Sequence, residues 1–126
     1  MILVDTSVWI EFFRSNQAIF SVLAPEIERQ NALAVECVFG ELLQGVQNSR
    51  ESAIISDYWN NLPRIDESGL WIEAGTYSGK NKLFAKGIGL IDVFLIAVAK
   101  KHRAKLWTLD KKLLSALQSA EIFTTA

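Results

Sequence analysis

The first seven residues constrain the fold most, because an unbroken apolar run is followed at once by a carboxylate. Ile2–Val4 shows no polar alternation, which is typical of a strand covered on both faces in a parallel sheet. Asp5 ends this strand, and the hydroxyls of Thr6 and Ser7 can cap the helix that follows. Open α/β sheets bind ligands beyond the carboxyl ends of their strands, so Asp5 lies where a site is expected.

A second stretch near the C-terminus repeats this order of strand, acid and helix. Lys105–Leu109 predicts a strand, Asp110 follows it, and Lys111–Leu117 predicts a basic helix. By itself Asp110 would be interpreted as a helix cap. In a parallel sheet with right-handed connections, however, the carboxyl ends of all strands share one edge, and there Asp5 and Asp110 can face each other.

The segment Ile91–Ala99 is apolar on every side apart from Asp92, which predicts a buried helix. A carboxylate near a helix N-terminus is favoured by the helix dipole, so capping would be a sufficient role for Asp92. A charge in such apolar surroundings is costly unless it is paired or binds a metal, and no basic residue is nearer in sequence than Lys86. Capping and metal ligation therefore both remain open for Asp92.

A fourth acid comes from the helix predicted over residues 36–46, which follows a short predicted strand over residues 32–35. Glu36 falls in the first turn, where it suits the helix dipole. Glu41 falls in mid-helix at the margin of the apolar face, and the adjacent Gly40 leaves room for another element. A solvated side chain would explain either acid, but Glu41 is the better candidate for a shared pocket.

The remaining segments alternate between helical and extended patterns, which predicts an α/β fold. Helices are predicted over 18–30, where Pro25 kinks or splits the helix, over 51–62, and over 67–84, the longest. The inner line of this longest helix is expected to contain Leu70, Ala74, Tyr77 and Phe84. Short strands are predicted at 64–65 and 122–124. With no linker or repeat in 126 residues, we expect one domain over 1–126.

A net charge of −1 hides a strong division along the chain. Residues 1–79 carry four basic and eleven acidic side chains, whereas residues 80–112 carry nine basic side chains and only Asp92 and Asp110 as acids. Solvated helix faces are the ordinary explanation. The alternative is a basic surface beside an acidic pocket, able to bind a polyanion through its phosphates. The candidate nucleic-acid contacts are Arg14, Lys82, Lys86 and Lys111.

Cysteine content and hydropathy indicate the compartment and the partners. Cys37 is the only cysteine, which excludes an internal disulfide and fits a reducing compartment. No secretory leader and no apolar run of membrane length occurs, so a cytoplasmic protein without a membrane partner is expected. Hydrophobic residues make up 50% of the chain, and such a small domain is expected to keep apolar surface for a partner subunit.

Four short segments resemble, in order and spacing, the PIN-domain nucleases. They are Val4–Ile10, Glu41–Gly45, Asp92–Ala99 and Leu106–Asp110. The resemblance covers the whole chain, and the length and opening are most similar to VapC-type toxins of type II toxin–antitoxin pairs. It implies a PIN-like three-layer α/β/α fold with a central parallel sheet of four to five strands surrounded by helices. It also implies a Mg²⁺-dependent endoribonuclease, with RNA as substrate, a cognate antitoxin as partner, and a homodimer.

The active site that this resemblance implies consists of Asp5, Glu41, Asp92 and Asp110. Two nearby positions depart from the family's pattern. Ile91 stands where members often have proline or a small residue, and Leu113 or Leu114 stands where an aromatic residue often follows the fourth acid. Neither departure removes a ligand, although the rim of the site is expected to differ. Members of the family cut different kinds of RNA, so no particular RNA is implied.

The chemistry of the four acids agrees with that assignment. Carboxylates without histidine or cysteine make a hard, oxygen-only site that suits Mg²⁺ or Mn²⁺ rather than zinc, and the one histidine, His102, is expected at the surface. Metal ions would then activate water and stabilise the leaving oxygen, and two ions about 4 Å apart would do both. Asp5 and Asp92 are assigned as main ligands, Asp110 as a ligand directly or through water, and Glu41 as a ligand or as the orienter of the attacking water.

Roles are also predicted for hydroxyl and aromatic side chains. Thr6, Ser7 and Thr108 are assigned to hold the carboxylates or the scissile phosphate. The first helix carries three large aromatic residues that cannot all point inward, so some are expected to contact an antitoxin or a second subunit; they are Trp9, Phe12 and Phe13. The remaining tryptophans are expected in the core or an interface rather than as base-stacking platforms; they are Trp59, Trp71 and Trp107.

Three other functions use similar residues. A receiver-type phospho-acceptor domain also gathers acids around Mg²⁺, but it needs paired acids after the first strand and a lysine after the last sheet strands. A phosphatase of the haloacid-dehalogenase type needs a second aspartate two residues after Asp5, where Ser7 stands. A PIN fold without catalysis would act only through partners, and the presence of all four acids argues against it.

Overall fold

The computed structural model describes residues 1–125 of the chain. Within these residues the elements are, in order, β1 (Ile2–Val4), α1 (Thr6–Phe13), α2 (Gln17–Glu28), β2 (Ala32–Leu33), α3 (Glu36–Gln44), α4 (Ser49–Asn61), α5 (Leu70–Asn81), α6 (Leu90–Lys101), β3 (Lys105–Trp107) and α7 (Lys111–Ser115). Short 3₁₀ turns occur at Phe84–Lys86 and Ser119–Glu121. Strands therefore alternate with helices, as the sequence predicts.

The three strands form a parallel sheet in the order β2–β1–β3. In this register Leu3 is paired with Leu33 on one side and with Leu106 on the other. The predicted α/β fold with a central parallel sheet is thereby confirmed. Because the strands are parallel and β1 is central, the carboxyl ends of all three strands lie on one edge of the sheet.

The predicted outer strands are shorter than expected. Arg64 forms a single parallel bridge with Ala34, and Ile122 forms one with Leu106, so each extends the sheet by one residue beyond the three strands. Pro63 precedes the first bridge and cannot donate a backbone hydrogen bond, although its carbonyl accepts one from Ala34 at 2.9 Å. The second bridge follows directly on the 3₁₀ turn Ser119–Glu121, which leaves little extended chain for pairing.

The core is continuous around the sheet and consists of aliphatic and aromatic side chains. Leu3 in the central strand and Phe94 in α6 are wholly buried. Six of the twelve residues of α6 are buried, which confirms the predicted buried helix. Trp9 and Phe12 of α1 also belong to the core, whereas Phe13 is half-buried. Among the described residues no helix is both long and apolar enough to cross a membrane.

The helix predicted over 67–84 is wrong at both ends. Helix α5 spans only Leu70–Asn81, so α4, with 13 residues, is longer. Lys82 adopts a left-handed conformation with φ 53°, which ends the helix and changes the direction of the chain. Phe84 consequently leaves the inner line of α5 and is 87% exposed. Helix α2 ends earlier than predicted, and Pro25 lies in its last turn without dividing it.

Candidate functional site

Four carboxylates converge on one pocket at the carboxyl edge of the sheet. Asp5 follows β1, Asp110 follows β3, Asp92 lies in the first turn of α6, and Glu41 extends from α3. All four line a pocket of about 430 Å³. Its other lining residues are Thr6, Ser7, Ile10, Gly89, Leu90 and Ile91. The structure therefore brings together the four acids that the sequence singled out, and Ile91 forms part of the rim.

Asp5 is held by two hydroxyl groups that act on the same oxygen. The residue is 8% exposed, and its Oδ2 accepts hydrogen bonds from Ser7 Oγ at 2.8 Å and from Thr108 Oγ1 at 2.7 Å. Among the described residues, no side chain donates a hydrogen bond to the other oxygen, Oδ1. The carboxylate is thus fixed in orientation while Oδ1 is available to a ligand.

The two hydroxyls that hold Asp5 are themselves held by the backbone that follows β3. Ser7 Oγ accepts a hydrogen bond from the Leu109 N–H at 3.0 Å, and Thr108 Oγ1 accepts one from the Asp110 N–H at 3.0 Å. Each hydroxyl therefore accepts one backbone N–H bond and donates its single proton to Asp5. This network joins the ends of β1 and β3 and fixes the distance between two of the four acids.

Glu41 and Asp110 have partners outside this network. Thr6 Oγ1 donates to Glu41 Oε1 at 2.9 Å, which ties α1 to α3 at the margin of the pocket. Asp110 caps α7, since its Oδ1 accepts from the backbone N–H groups of Lys112 at 2.8 Å and Leu113 at 3.4 Å. Asp110 therefore both caps α7 and lines the pocket.

Asp92 is not the N-cap of α6, which was one of its two explanations. The N-cap position of α6 is Gly89, and Asp92 lies three residues further on, in the first turn. The pKa of Asp92 rises from 3.8 to about 6, mainly because of burial and then because of the negative charges of Asp5, Asp110 and Glu41. The four acids thus repel one another, and a bound cation would relieve that repulsion.

The donor set fits a hydrated, hard cation. Every candidate ligand offers oxygen, the atom that Mg²⁺ and Mn²⁺ prefer. Among residues 1–125, no group of three or more acid, histidine or cysteine side chains is positioned to hold a metal ion. Mg²⁺ does not require three protein ligands, because it keeps several water ligands and is commonly held by one or two carboxylates.

Other reactive side chains do not compete for this role. His102 is exposed at the C-terminal end of α6, as expected. Burial, followed by the charges of Glu67 and Glu41, raises the pKa of the Cys37 thiol to about 12. At neutral pH this thiol is protonated, so it is a poor nucleophile and a poor metal ligand.

The basic residues predicted to contact nucleic acid fall into two groups along the chain. Arg14 lines a neighbouring groove and lies 3.7 Å from Glu11, whereas Lys82, Lys86 and Lys111 are exposed around the start of α6 and α7. Lys112 was not among the residues predicted to contact nucleic acid, but it lies near the same turn. A β-carbon placed on Gly87 would lie 3.7 Å from its Nζ, so Lys112 brings α7 against the turn that precedes α6. In the sequence, Lys112 directly follows Lys111, which was among the predicted contacts.

An apolar groove adjoins the acidic pocket and shares Ile10 and Glu41 with it. The groove has a volume of about 420 Å³ and runs between α1, α3 and α4. Its apolar lining comes mainly from Phe13, Leu42, Val46, Ile54 and Ile55. Phe13, one of the three aromatic residues expected in part to contact a partner, therefore faces a surface depression, whereas Trp9 and Phe12 are buried.

Comparison with known protein sequences gives consistent matches along most of the chain. A family model described as the PIN domain matches residues 2–117. Ribonuclease VapC32 of Mycobacterium tuberculosis is 34% identical over 121 residues, which cover 92% of this chain and 90% of the relative. Ribonuclease VapC11 of the same species is 26% identical over 112 residues, with 84% of each chain covered.

Solved structures share the fold at low sequence identity. A toxin–antitoxin complex from Klebsiella pneumoniae contains a chain with a TM-score of 0.73 and 19% identity, covering 98% of this chain and 97% of that one. VapBC2 from Rickettsia felis, bound to a DNA fragment from its promoter, gives a TM-score of 0.63 at 22% identity, with 97% and 96% covered. These similarities extend over nearly the whole of the described fold.

Proposed function

Because this chain belongs to the PIN-domain family and, within it, to the VapC-like ribonucleases, we propose that it is a metal-dependent endoribonuclease and the toxin of a toxin–antitoxin pair. The observation that carries this proposal is the convergence of four carboxylates on one pocket, with Asp5 fixed by two hydroxyls. Position 7, where a dehalogenase-type phosphatase needs an aspartate, is a serine that donates to Asp5.

Mg²⁺, or Mn²⁺ in its place, would be held by Asp5 and Asp92, with Asp110 as a further ligand directly or through water. A divalent cation bound there supplies a water of lowered pKa and stabilises negative charge on the phosphate oxygens. Ser7 and Thr108 keep Asp5 oriented for this role through their hydrogen bonds to Oδ2. Glu41, positioned by Thr6, orients the attacking water.

RNA reaches the acids across a basic rim. The exposed lysines of the turn before α6 and of the first turn of α7 offer phosphate contacts, whereas the pocket itself is acidic and would repel RNA without a bound cation. Lys86, Lys111 and Lys112 are the residues of this rim. Substrate and metal are therefore expected to bind in a mutually dependent way.

The cognate antitoxin is the partner that we assign to the apolar groove between α1, α3 and α4. One structural neighbour is described as a toxin–antitoxin complex, and the groove adjoins the acidic pocket through Ile10 and Glu41. An apolar segment carrying a basic side chain would fill the groove and place a positive charge against the acids. A homodimer and a cytoplasmic location belong to the same proposal.

The nuclease proposal is tested by RNA cleavage under metal titration. Asp5→Asn and Asp92→Asn are each expected to abolish Mg²⁺-dependent cleavage while the circular dichroism spectrum stays native. Asp57→Asn changes an exposed aspartate on α4 outside the pocket and serves as the matched control, with activity equal to wild type. Equal cleavage by wild type and by both pocket variants would show that these acids do not carry the reaction.

A further inference from the structure

The 3₁₀ turn between α5 and α6 presents an aromatic side chain to solvent. Phe84 is 87% exposed, although its neighbours Leu83 and Ile88 are buried and anchor the turn at both ends. The Gly87 N–H donates to the Phe84 carbonyl at 3.0 Å, and the Ile88 N–H donates to the Leu83 carbonyl at 3.1 Å. The outward direction of Phe84 is therefore set by a hydrogen-bonded, anchored turn.

The surface around Phe84 is strongly basic. Lys82 and Lys86 flank it in sequence, and no acid occurs between Glu73 and Asp92. Lys112 of α7 lies against Gly87, at the end of the same turn. Of the ion pairs found among residues 1–125, none involves these three lysines, so their charges are free to bind an external anion.

This aromatic and basic turn is close to the acidic pocket. The chain runs from it into Gly89, Leu90 and Ile91, all of which line the pocket. Gly89 lies five positions after Phe84, and even a fully extended chain of that length would span at most about 18 Å. A chain molecule bound in the pocket at one point can therefore reach Phe84 a few units away.

The charge of this surface favours a polyanion over a second copy of the protein. A two-fold symmetric contact would place the same patch against itself and bring Lys82 and Lys86 toward their own equivalents. Such like charges oppose association. A single nucleic-acid strand, in contrast, offers phosphates for the lysines and flat bases for the phenyl ring, which is how unpaired strands are commonly bound.

We propose that Phe84 is a substrate-binding residue that stacks on one base of an unpaired RNA strand, while Lys82, Lys86 and Lys112 bind the adjoining phosphates. This inference rests on the proposed ribonuclease function. The RNA has to be unpaired where it meets Phe84, because the bases of a duplex are stacked within the helix and cannot receive the ring. Phe84 contributes to binding and register, and the four acids carry the chemistry.

The test measures binding in the full-length Asp5→Asn protein, which is expected to hold RNA without cutting it. The probe is a short unpaired RNA that carries one 2-aminopurine, whose fluorescence falls when it stacks. Phe84→Ala is expected to weaken binding about 10-fold and to abolish the fluorescence change, whereas Phe84→Trp retains both. Ile72→Ala, which truncates another highly exposed apolar side chain outside the pocket, is expected to bind like its parent. A duplex of the same sequence should be insensitive to Phe84→Ala.

In the otherwise wild-type enzyme, Phe84→Ala is expected to raise KM for the same unpaired RNA about 10-fold and to leave kcat within about twofold. Unchanged affinity, fluorescence and KM would overturn the inference. A change in oligomeric mass by light scattering with unchanged RNA affinity would also overturn it, since Phe84 would then be a protein contact. If the wild-type protein does not cleave RNA, the nuclease proposal fails, yet the fluorescence experiment still measures stacking at Phe84.

Discussion

At the scale of single residues, the ionised carboxylate of Asp92 should destabilise the metal-free protein. Its pKa in the folded protein, about 6, is above its ordinary value of 3.8, so the folded state binds this proton more tightly than the unfolded state. The free energy of unfolding should therefore fall as pH rises from about 4 through about 6 in the metal-free protein. Asp92→Asn is expected to stabilise that protein by about 1 kcal/mol at about pH 8, allowing for solvent screening of a half-buried group.

Thermal unfolding of the metal-free proteins at several pH values measures this effect. The gain from Asp92→Asn should vanish below about pH 3, where the wild-type carboxyl is largely protonated in both states, and Asp57→Asn should show no comparable gain at any pH. A lower melting temperature for Asp92→Asn than for wild type at about pH 8 would mean that the acids do not repel one another as described.

Thr108 allows a second test at the residue scale. Thr108→Val keeps the shape of a buried side chain but removes the donor to Asp5 and the acceptor of the Asp110 N–H. We expect unfolding free energy to fall by about 1–3 kcal/mol and cleavage to fall about 10- to 100-fold, because Asp5 loses its orientation. Thr76→Val removes an exposed hydroxyl that donates to a carbonyl within α5. This control should change neither the unfolding free energy, measured by chevron analysis, nor the rate of RNA cleavage. Equal behaviour of the two variants would contradict the positioning role.

At the scale of elements, the groove between α1, α3 and α4 should bind the antitoxin. Ile54→Glu places a charge in this apolar groove at a side chain that is 42% exposed, so the fold should tolerate it. Co-purification with the product of the adjacent small open reading frame should be lost, while RNA cleavage by the isolated protein continues. Ile72→Glu, on α5 outside the groove, should still co-purify. Undiminished capture by Ile54→Glu would place the antitoxin elsewhere.

The elements also show what a sequence can predict. The apolar runs of β1 and α6 are local patterns, and both were predicted correctly because burial on all sides leaves no polar face to interpret. The end of α5 was not predictable in this way. It depends on the left-handed conformation of Lys82, a residue with no special preference for it, and so Phe84 was wrongly assigned to a buried face. The outer strands were overestimated because a single bridge has no periodic signal.

At the scale of the whole molecule, the topology turns separate parts of the sequence into one site. Asp5 and Asp110 were predicted to meet because they repeat the same strand–acid–helix order, and the parallel sheet places them at one edge. The hydroxyl network from Ser7 to Leu109 could not be predicted in detail, since it depends on the register of β1 against β3. The basic stretch 80–112 supplies two of the four acids of the pocket, Asp92 and Asp110, as well as exposed lysines.

Anomalous diffraction from crystals soaked in Mn²⁺ tests most directly whether these carboxylates hold a divalent cation. We predict an anomalous peak between Asp5 and Asp92, within coordination distance of both carboxylates, that disappears in Asp92→Asn. Soaked crystals of Asp57→Asn should keep the peak. A well-occupied Mn²⁺ elsewhere on the protein, with only water between Asp5 and Asp92, would contradict the account.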